Sequence, residues 1–249
     1  MNKIIFFVSN LVACFVPNNR RRSRVRGRVN LALFRPWVKS FVRRVYGVEP
    51  HNVEFVRQIT LNRMSCVVNN TYFVKIFRNV RRKRLEDLKF LLDFIRPHIS
   101  VEISTIHVHK SIPMYVSPRI RGHLIYDFDR EFVLKHEDKI LKQVEKIIRE
   151  LQSIDLKTIP NVERFSWGLQ HERTVEKHCD TPHPVLAHFD LNEKNFLFDD
   201  DLNIVGLIDW DSLSIAQNPN TDRDIFMKYW TACKNRFDAR KARMNSNKK

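Results

Sequence analysis

The chain has 249 residues and a mass of 29.8 kDa, enough for one large domain or two small lobes around a sizeable core. Apolar residues make up 43% and aromatic residues 11%, which excludes a chain disordered throughout. Its four scattered cysteines exclude a disulfide scaffold and point to a reducing compartment, and only 5 glycines exclude a nucleotide loop built on several of them.

The formal charge is +16, and it is placed unevenly. Residues 1–48 carry eleven basic side chains and no acidic one; the first acid is Glu49. Residues 4–16 (IIFFVSNLVACFV) are almost wholly apolar. As a helix these thirteen residues reach ~20 Å, short of the ~30 Å hydrocarbon core of a bilayer. One lysine precedes the run and an arginine cluster follows it, which argues against a signal peptide. The run suits a segment lying in a membrane interface, or a buried core helix.

After Pro17-Asn18-Asn19 comes the arginine run Arg20–Arg28. From Leu31 the pattern turns helical, with Phe34, Trp37, Val38, Phe41, Val42 and Val45 on one stripe. Arg35, Lys39, Arg43 and Arg44 fall elsewhere on the wheel. This amphipathic pattern predicts a basic and apolar extension, residues 1–49, docked on an anionic membrane surface. Nucleic acid is not the expected partner, because the run lacks interleaved aromatics and any reading module.

Residues 53–78 change character. VEFVRQITL, SCVVNN and TYFVKIF read as strands, with Asn69-Asn70 a hairpin signal. Residues 81–95 read as a helix ending before Pro97. VEISTIHVH and IPMYVSPRI read as two more strands. A single long helix is expected from about Glu131 to Leu151, with Ile140, Val144, Ile147, Ile148 and Leu151 in its stripe. Residues 185–215 read as short strands and loops, and 221–239 as a helix followed by a polar, disordered tail.

The informative stretch is VLAHFDLNEKNFLFDDDLNIVGLIDWD, residues 185–211. It holds His188-x-Asp190-x4-Asn195 and then an apolar strand ending in Asp209-Trp210-Asp211. Magnesium takes one or two carboxylates plus phosphate oxygens, and Asn195 and Asp209 can supply hard oxygens from neighbouring loops. Asp190 remains to accept a proton from an attacking hydroxyl. Phosphoryl transfer also needs a cation on the phosphates. Lys75 is the candidate, mid-strand between apolar neighbours, with Glu86 in the next helix as its counter-charge.

These residues resemble the aminoglycoside phosphotransferase and choline kinase family. His188, Asp190 and Asn195 match its HxDxxxxN motif, and Asp209 matches its following aspartate. The resemblance implies a bilobal, protein-kinase-like α+β fold, with a small antiparallel-sheet N-lobe (50–116), a mainly helical C-lobe (117–235) and a basic tail (236–249). It implies ATP and Mg²⁺ as cofactors, Asp190 as catalytic base, His188 bracing the catalytic loop, and Asn195 and Asp209 as metal ligands. Lys75 would hold the nucleotide phosphates with Glu86 behind it. The phosphate loop would be Thr60–Ser65, including Asn62 and Arg63, without a glycine. The hinge receiving adenine would be Met114-Tyr115-Val116-Ser117, with Ile120-Arg121-Gly122 following.

The expected activity is ATP- and Mg²⁺-dependent phosphorylation of a hydroxyl on a small molecule or glycan. FVPNNRRRSRVRGR has a likeness to N-termini of bacterial surface-polysaccharide glycosyltransferases, which favours a cell-envelope sugar and a peripheral place on the inner face of the membrane. Choline-like or aminoglycoside-like acceptors would need an acidic pocket, for which Glu172, Asp222 and Asp224 are candidates. A membrane-bound pseudokinase scaffold is the non-enzyme alternative. His171, His178, Cys179, His183 and His188 offer a competing zinc reading, but their spacing fits no common zinc pattern.

Overall fold

The computed structural model describes residues 2–14, 19–60, 63–168 and 183–248. The chain falls into two compact units. The first comprises Met1–Phe90 with Ser104–Arg119, and the second Leu91–Ile103 with Ile120–Lys249.

The first unit is built on a five-stranded antiparallel sheet in the order β1-β2-β3-β5-β4. Its strands are β1 (Val53–Thr60), β2 (Arg63–Val68), β3 (Tyr72–Phe77), β4 (His107–Val108) and β5 (Met114–Pro118). Asn69 and Asn70 both take left-handed dihedrals, φ 51° and 55°, and Thr71 N–H closes the turn onto Val68 O at 3.0 Å. Asparagine tolerates that region, and the turn's twist matches the strands it joins. The Asn69 side chain also accepts from the backbone N–H groups of His51 and Asn52 and donates to Glu49 O.

Helices α1 (Asn2–Cys14) and α2 (Asn19–Tyr46) belong to this unit. The stripe read from sequence is real: Phe34, Val38, Phe41 and Val42 are buried. What covers it is the sheet. These side chains share one core with Val53, Met64, Cys66, Val68, Val74, Ile76, Met114 and Val116, with Trp37 and Val45 packed against it. Phe41 meets the ring of His109 edge-on at 4.9 Å, and Tyr46 stacks on Tyr72 at 4.2 Å. Residues 31–46 are therefore an integral layer of the fold and not a lipid-facing helix. A β-carbon on Gly27 would lie 2.1 Å from the Phe55 ring, so its absence lets α2 pass close over β1.

Helix α3 (Arg82–Ile95) leads out of this unit. The strand expected over 101–109 shrinks to β4 and an isolated bridge from Glu102 to Gly206. In the second unit the helix expected over 131–151 is broken at His136 (φ −106°, ψ 17°) into α4 (Arg130–Lys135) and α5 (Glu137–Gln152). The buried face of α5 is Ile140, Val144, Ile147, Ile148 and Leu151, as the periodicity predicts. Two short antiparallel pairs follow: β6 (Val185–Ala187) with β9 (Ser214–Ala216), and β7 (Phe196–Phe198) with β8 (Ile204–Leu207). Gln143 on α5 ties the β7–β8 hairpin down, donating to Leu202 O and accepting from Ile204 N–H.

The last helix, α6 (Thr221–Lys248), runs past the predicted end with a kink at Arg236. It is anchored by Trp230 and Lys234, both bonded to Glu137, and by Lys241, bonded to Phe128 O and Asp129. These ties explain why the polar tail continues as helix.

Candidate active site

The β7–β8 hairpin sets the first part of the site. Asn195 immediately precedes β7, and Ile208-Asp209 immediately follow β8. Closing the hairpin brings its two ends together, and Ile208 N–H donates to Asn195 O at 2.9 Å. Asn195 and Ile208, thirteen apart in sequence, thus become neighbours.

Strand β6 delivers the second part, His188-Phe189-Asp190. His188 is fully buried. Its Nδ1 accepts from Asp190 N–H at 3.3 Å and its Nε2 faces Ile208 O at 3.2 Å. Acceptance at Nδ1 puts the proton on Nε2, which then donates to the carbonyl. One neutral imidazole therefore fastens the loop carrying Asp190 to the loop carrying Asp209. The Trp210 ring packs on it at 4.6 Å and is itself held by a bond from Nε1 to Leu207 O.

Two non-glycine residues here adopt left-handed backbones, Phe189 (φ 60°) and Asp209 (φ 64°, ψ 48°). Such strain persists only where surroundings over-determine it. For Phe189 the cause is Asp222, at the start of α6. Its carboxylate accepts from His188 N–H at 2.7 Å and from Phe189 N–H at 2.9 Å. Asp222 is buried, and burial pushes its carboxyl up to about 6, against the opposing pull of the two amides. Its expected place in an acceptor pocket is thereby corrected: the group is spent on holding the loop. Asp224 is exposed, and Glu172 lies outside the described residues.

Asp190 is half-buried, and its carboxylate accepts from Asn192 Nδ2 at 2.9 Å. Asn195 is buried and donates from Nδ2 to Asp190 O at 2.7 Å. That bond fixes the amide's orientation, so the oxygen is the atom Asn195 can offer a ligand. Asp209 is half-buried, one residue beyond the hairpin. The pair is a hard-oxygen set that fits Mg²⁺, an ion that keeps waters and takes phosphate oxygens for its other positions. Among the described residues no cluster of three or more His, Cys, Asp or Glu is arranged to hold a metal unaided.

Solved structures similar to this chain share one architecture. The GDP complex of aminoglycoside 2'-phosphotransferase-IIIa is 15% identical, with a TM-score of 0.56, covering 78% of this chain and 77% of that one. The streptomycin–ATP ternary complex of APH(2")-IIa is 16% identical, with a TM-score of 0.54 and coverage of 75% and 73%. Apo macrolide 2'-phosphotransferase MphH from Brachybacterium faecium is 15% identical, with a TM-score of 0.52 and coverage of 75% and 74%. The chain has the protein-kinase-like fold. No protein-family model matches the sequence, and no curated protein matches it.

Within this kinase-like fold, the residues expected on the sheet side fall as follows. Lys75 is buried in β3 between Val74 and Ile76, with Nζ 5.9 Å from the centre of the Tyr115 ring. Glu86 lies on the outer face of α3, about half exposed, and pairs with Arg82 at 2.5 Å. The buried carboxylate of that helix is its neighbour, Asp87. Asn62 lies outside the described residues. Met114 and Val116 are buried in β5, an interior strand paired with β3 and β4. The chain passes between the units at Phe90–Leu91, Ile103–Ser104 and Arg119–Ile120.

Two contributors escaped the sequence, and a third, Asp222, was read there in another role. Asn192 holds the Asp190 carboxylate, Asp222 holds the loop backbone, and buried Glu193 accepts from Tyr126 Oη at 2.7 Å. Only the polar run Asn192-Glu193-Lys194-Asn195 hinted at such a lattice. Of the zinc candidates, His171, His178 and Cys179 lie outside the described residues. His188 has both ring nitrogens engaged.

Proposed function

We propose that this chain is a nucleotide- and Mg²⁺-dependent phosphotransferase acting on a hydroxyl group of a small molecule or glycan. The observation that carries the reading is the hydrogen-bonded lattice holding Asp190, Asn195 and Asp209 around one buried histidine. In the proposed reaction the acceptor hydroxyl oxygen forms a bond to the γ-phosphorus of the nucleotide. The bond from that phosphorus to the β,γ-bridging oxygen breaks, and the hydroxyl proton passes to the Asp190 carboxylate. Asn192 keeps that carboxylate aimed. Asn195 and Asp209 would hold the metal, which would supply positive charge to the nucleotide phosphates. Lys75 supplies the further positive charge that the nucleotide phosphates require.

The reading places the chain in the cytoplasm, where the nucleotide is, and keeps ATP and GTP both open as donors. Among acceptors it favours a neutral sugar of the cell envelope over a cationic choline- or aminoglycoside-type molecule. The support is that Asp222 is occupied with the loop backbone instead of facing an acceptor. A nucleotide-binding pseudokinase scaffold is the second reading, favoured by the glycine-free segment Thr60–Ser65.

The test is transfer of labelled γ-phosphate from ATP and from GTP to a panel of neutral sugars, aminoglycosides and choline, beside direct nucleotide binding with and without Mg²⁺. Transfer to any hydroxyl acceptor supports the kinase reading. Mg²⁺-dependent binding without transfer supports the scaffold, and absence of binding removes both.

A further inference from the structure

Helix α1 has two apolar faces, and the fold uses one. Ile5, Phe6, Ser9 and Ala13 are buried, and Phe6 packs on Phe34 of α2 with ring centres 5.8 Å apart. The opposite face is open. Ile4 is 66% exposed, Phe7 61% and Leu11 53%, with Val8 and Val12 also exposed. These five recur at i, i+3, i+4, i+7 and i+8, an unbroken stripe about 140° wide at 100° per residue. A contiguous apolar stripe of this kind on one helix marks an interaction surface.

Charge decides among the occupants. The stripe sits in a segment with eleven basic and no acidic side chains before Glu49, with which Arg43 pairs. A second copy would bring two such cationic segments together, which repels. A nucleic acid answers the charge but offers nothing to the stripe. An anionic lipid surface answers both, taking the apolar face below its headgroups and attracting the net positive charge of the segment. No described helix is long and apolar enough to cross a membrane, so α1 would lie in the interface.

We infer that the outer face of α1, formed by Ile4, Phe7, Val8, Leu11 and Val12, seats the protein on an anionic membrane surface, with the net positive charge of residues 1–48 as its electrostatic complement. The stripe of α2 takes no part, because the sheet covers it. The inference is independent of the proposed chemistry and stands or falls without it.

Full-length protein is to be sedimented with phosphatidylcholine vesicles with and without about 30% phosphatidylglycerol, at low and high salt. Binding is expected on the anionic vesicles and to weaken with salt. The double substitution Phe7→Glu with Leu11→Glu, on exposed positions, should lower it at least about tenfold without changing the thermal melt. A second variant, Leu11→Trp, should show blue-shifted emission on anionic vesicles, quenched by brominated lipid. Equal binding by the double variant, no affinity for anionic vesicles at low salt, or an unshifted tryptophan would each overturn the inference. So would a lipid-free dimer that the double variant dissolves, which would assign the face to a second copy.

Discussion

At the scale of single residues the site is a set of side chains that hold one another. Asp190→Asn keeps the oxygen that accepts from Asn192, so the loop should stay as it is. If Asp190 is the base, turnover should fall by ~10²–10⁴ with nucleotide affinity unchanged. Steady-state rates beside calorimetric binding check this, and turnover within a few-fold of wild type would remove Asp190 from the role. Asp222 gives a second expectation, through pH. Its carboxyl titrates at about 6 in the fold against an ordinary value of 3.8. Native protein therefore holds a proton that unfolded chain has released between pH ~4 and ~6. This group's contribution to stability is full below that window and is lost as pH rises through it, by about 3 kcal/mol. Asp222→Asn should show none of that slope in urea unfolding between pH 4 and 7. The chain accepts this cost because the ionised carboxylate is what receives two adjacent amides.

Elements show the same economy of position. Helix α3 presents Glu86 to solvent, where Arg82 takes it, and buries Asp87. We expect Asp87→Asn to reduce phosphoryl transfer by about tenfold or more and Glu86→Gln by much less, since exposed ion pairs contribute little and buried carboxylates matter. Equal effects would show that the burial of Asp87 has no part in the reaction. In the second unit Gly122 takes φ +150°, where a β-carbon would come within 2.9 Å of Leu197 Cβ and 3.2 Å of Phe198 O. Beside it, His123 and Phe198 exchange backbone hydrogen bonds of 2.8 and 2.9 Å. Gly122→Ala should therefore cost ~1–3 kcal/mol in urea unfolding.

For the whole molecule, the N-terminal segment is divided between two tasks. Helix α2 supplies Phe34, Val38, Phe41 and Val42 to the core of the first unit, so deleting residues 1–46 should abolish soluble folding. Phe34→Ala alone should cost ~3–5 kcal/mol. Substitutions on the open face of α1 should leave the melt alone. Metal dependence is a property of the assembled site: Asp209→Ala should weaken nucleotide binding in Mg²⁺ far more than in its absence. Titrations of both proteins with and without Mg²⁺ check this, and an equal Mg²⁺ effect would exclude Asp209 as a ligand.

What the sequence determined by itself was local. His188-x-Asp190-x4-Asn195 and Asp209 sit within one short stretch, and it was the resemblance to a phosphotransferase motif that grouped them. The Asn69-Asn70 turn and the α5 stripe were legible because each depends on dihedral preference or helical period within a few residues. Tertiary structure decided what each apolar or acidic group faces. The stripe at Phe34, Val38 and Phe41 announced a buried face, but a sheet and a lipid surface both remove apolar area from water, and periodicity cannot tell them apart. Asp222 could have lined a pocket or capped a loop; only the fold placed the amides of His188 and Phe189 against it. The strand over IPMYVSPRI was legible too, but only the fold showed that Met114 and Val116 lie between β3 and β4, because a strand's partners are set by pairing and not by local pattern.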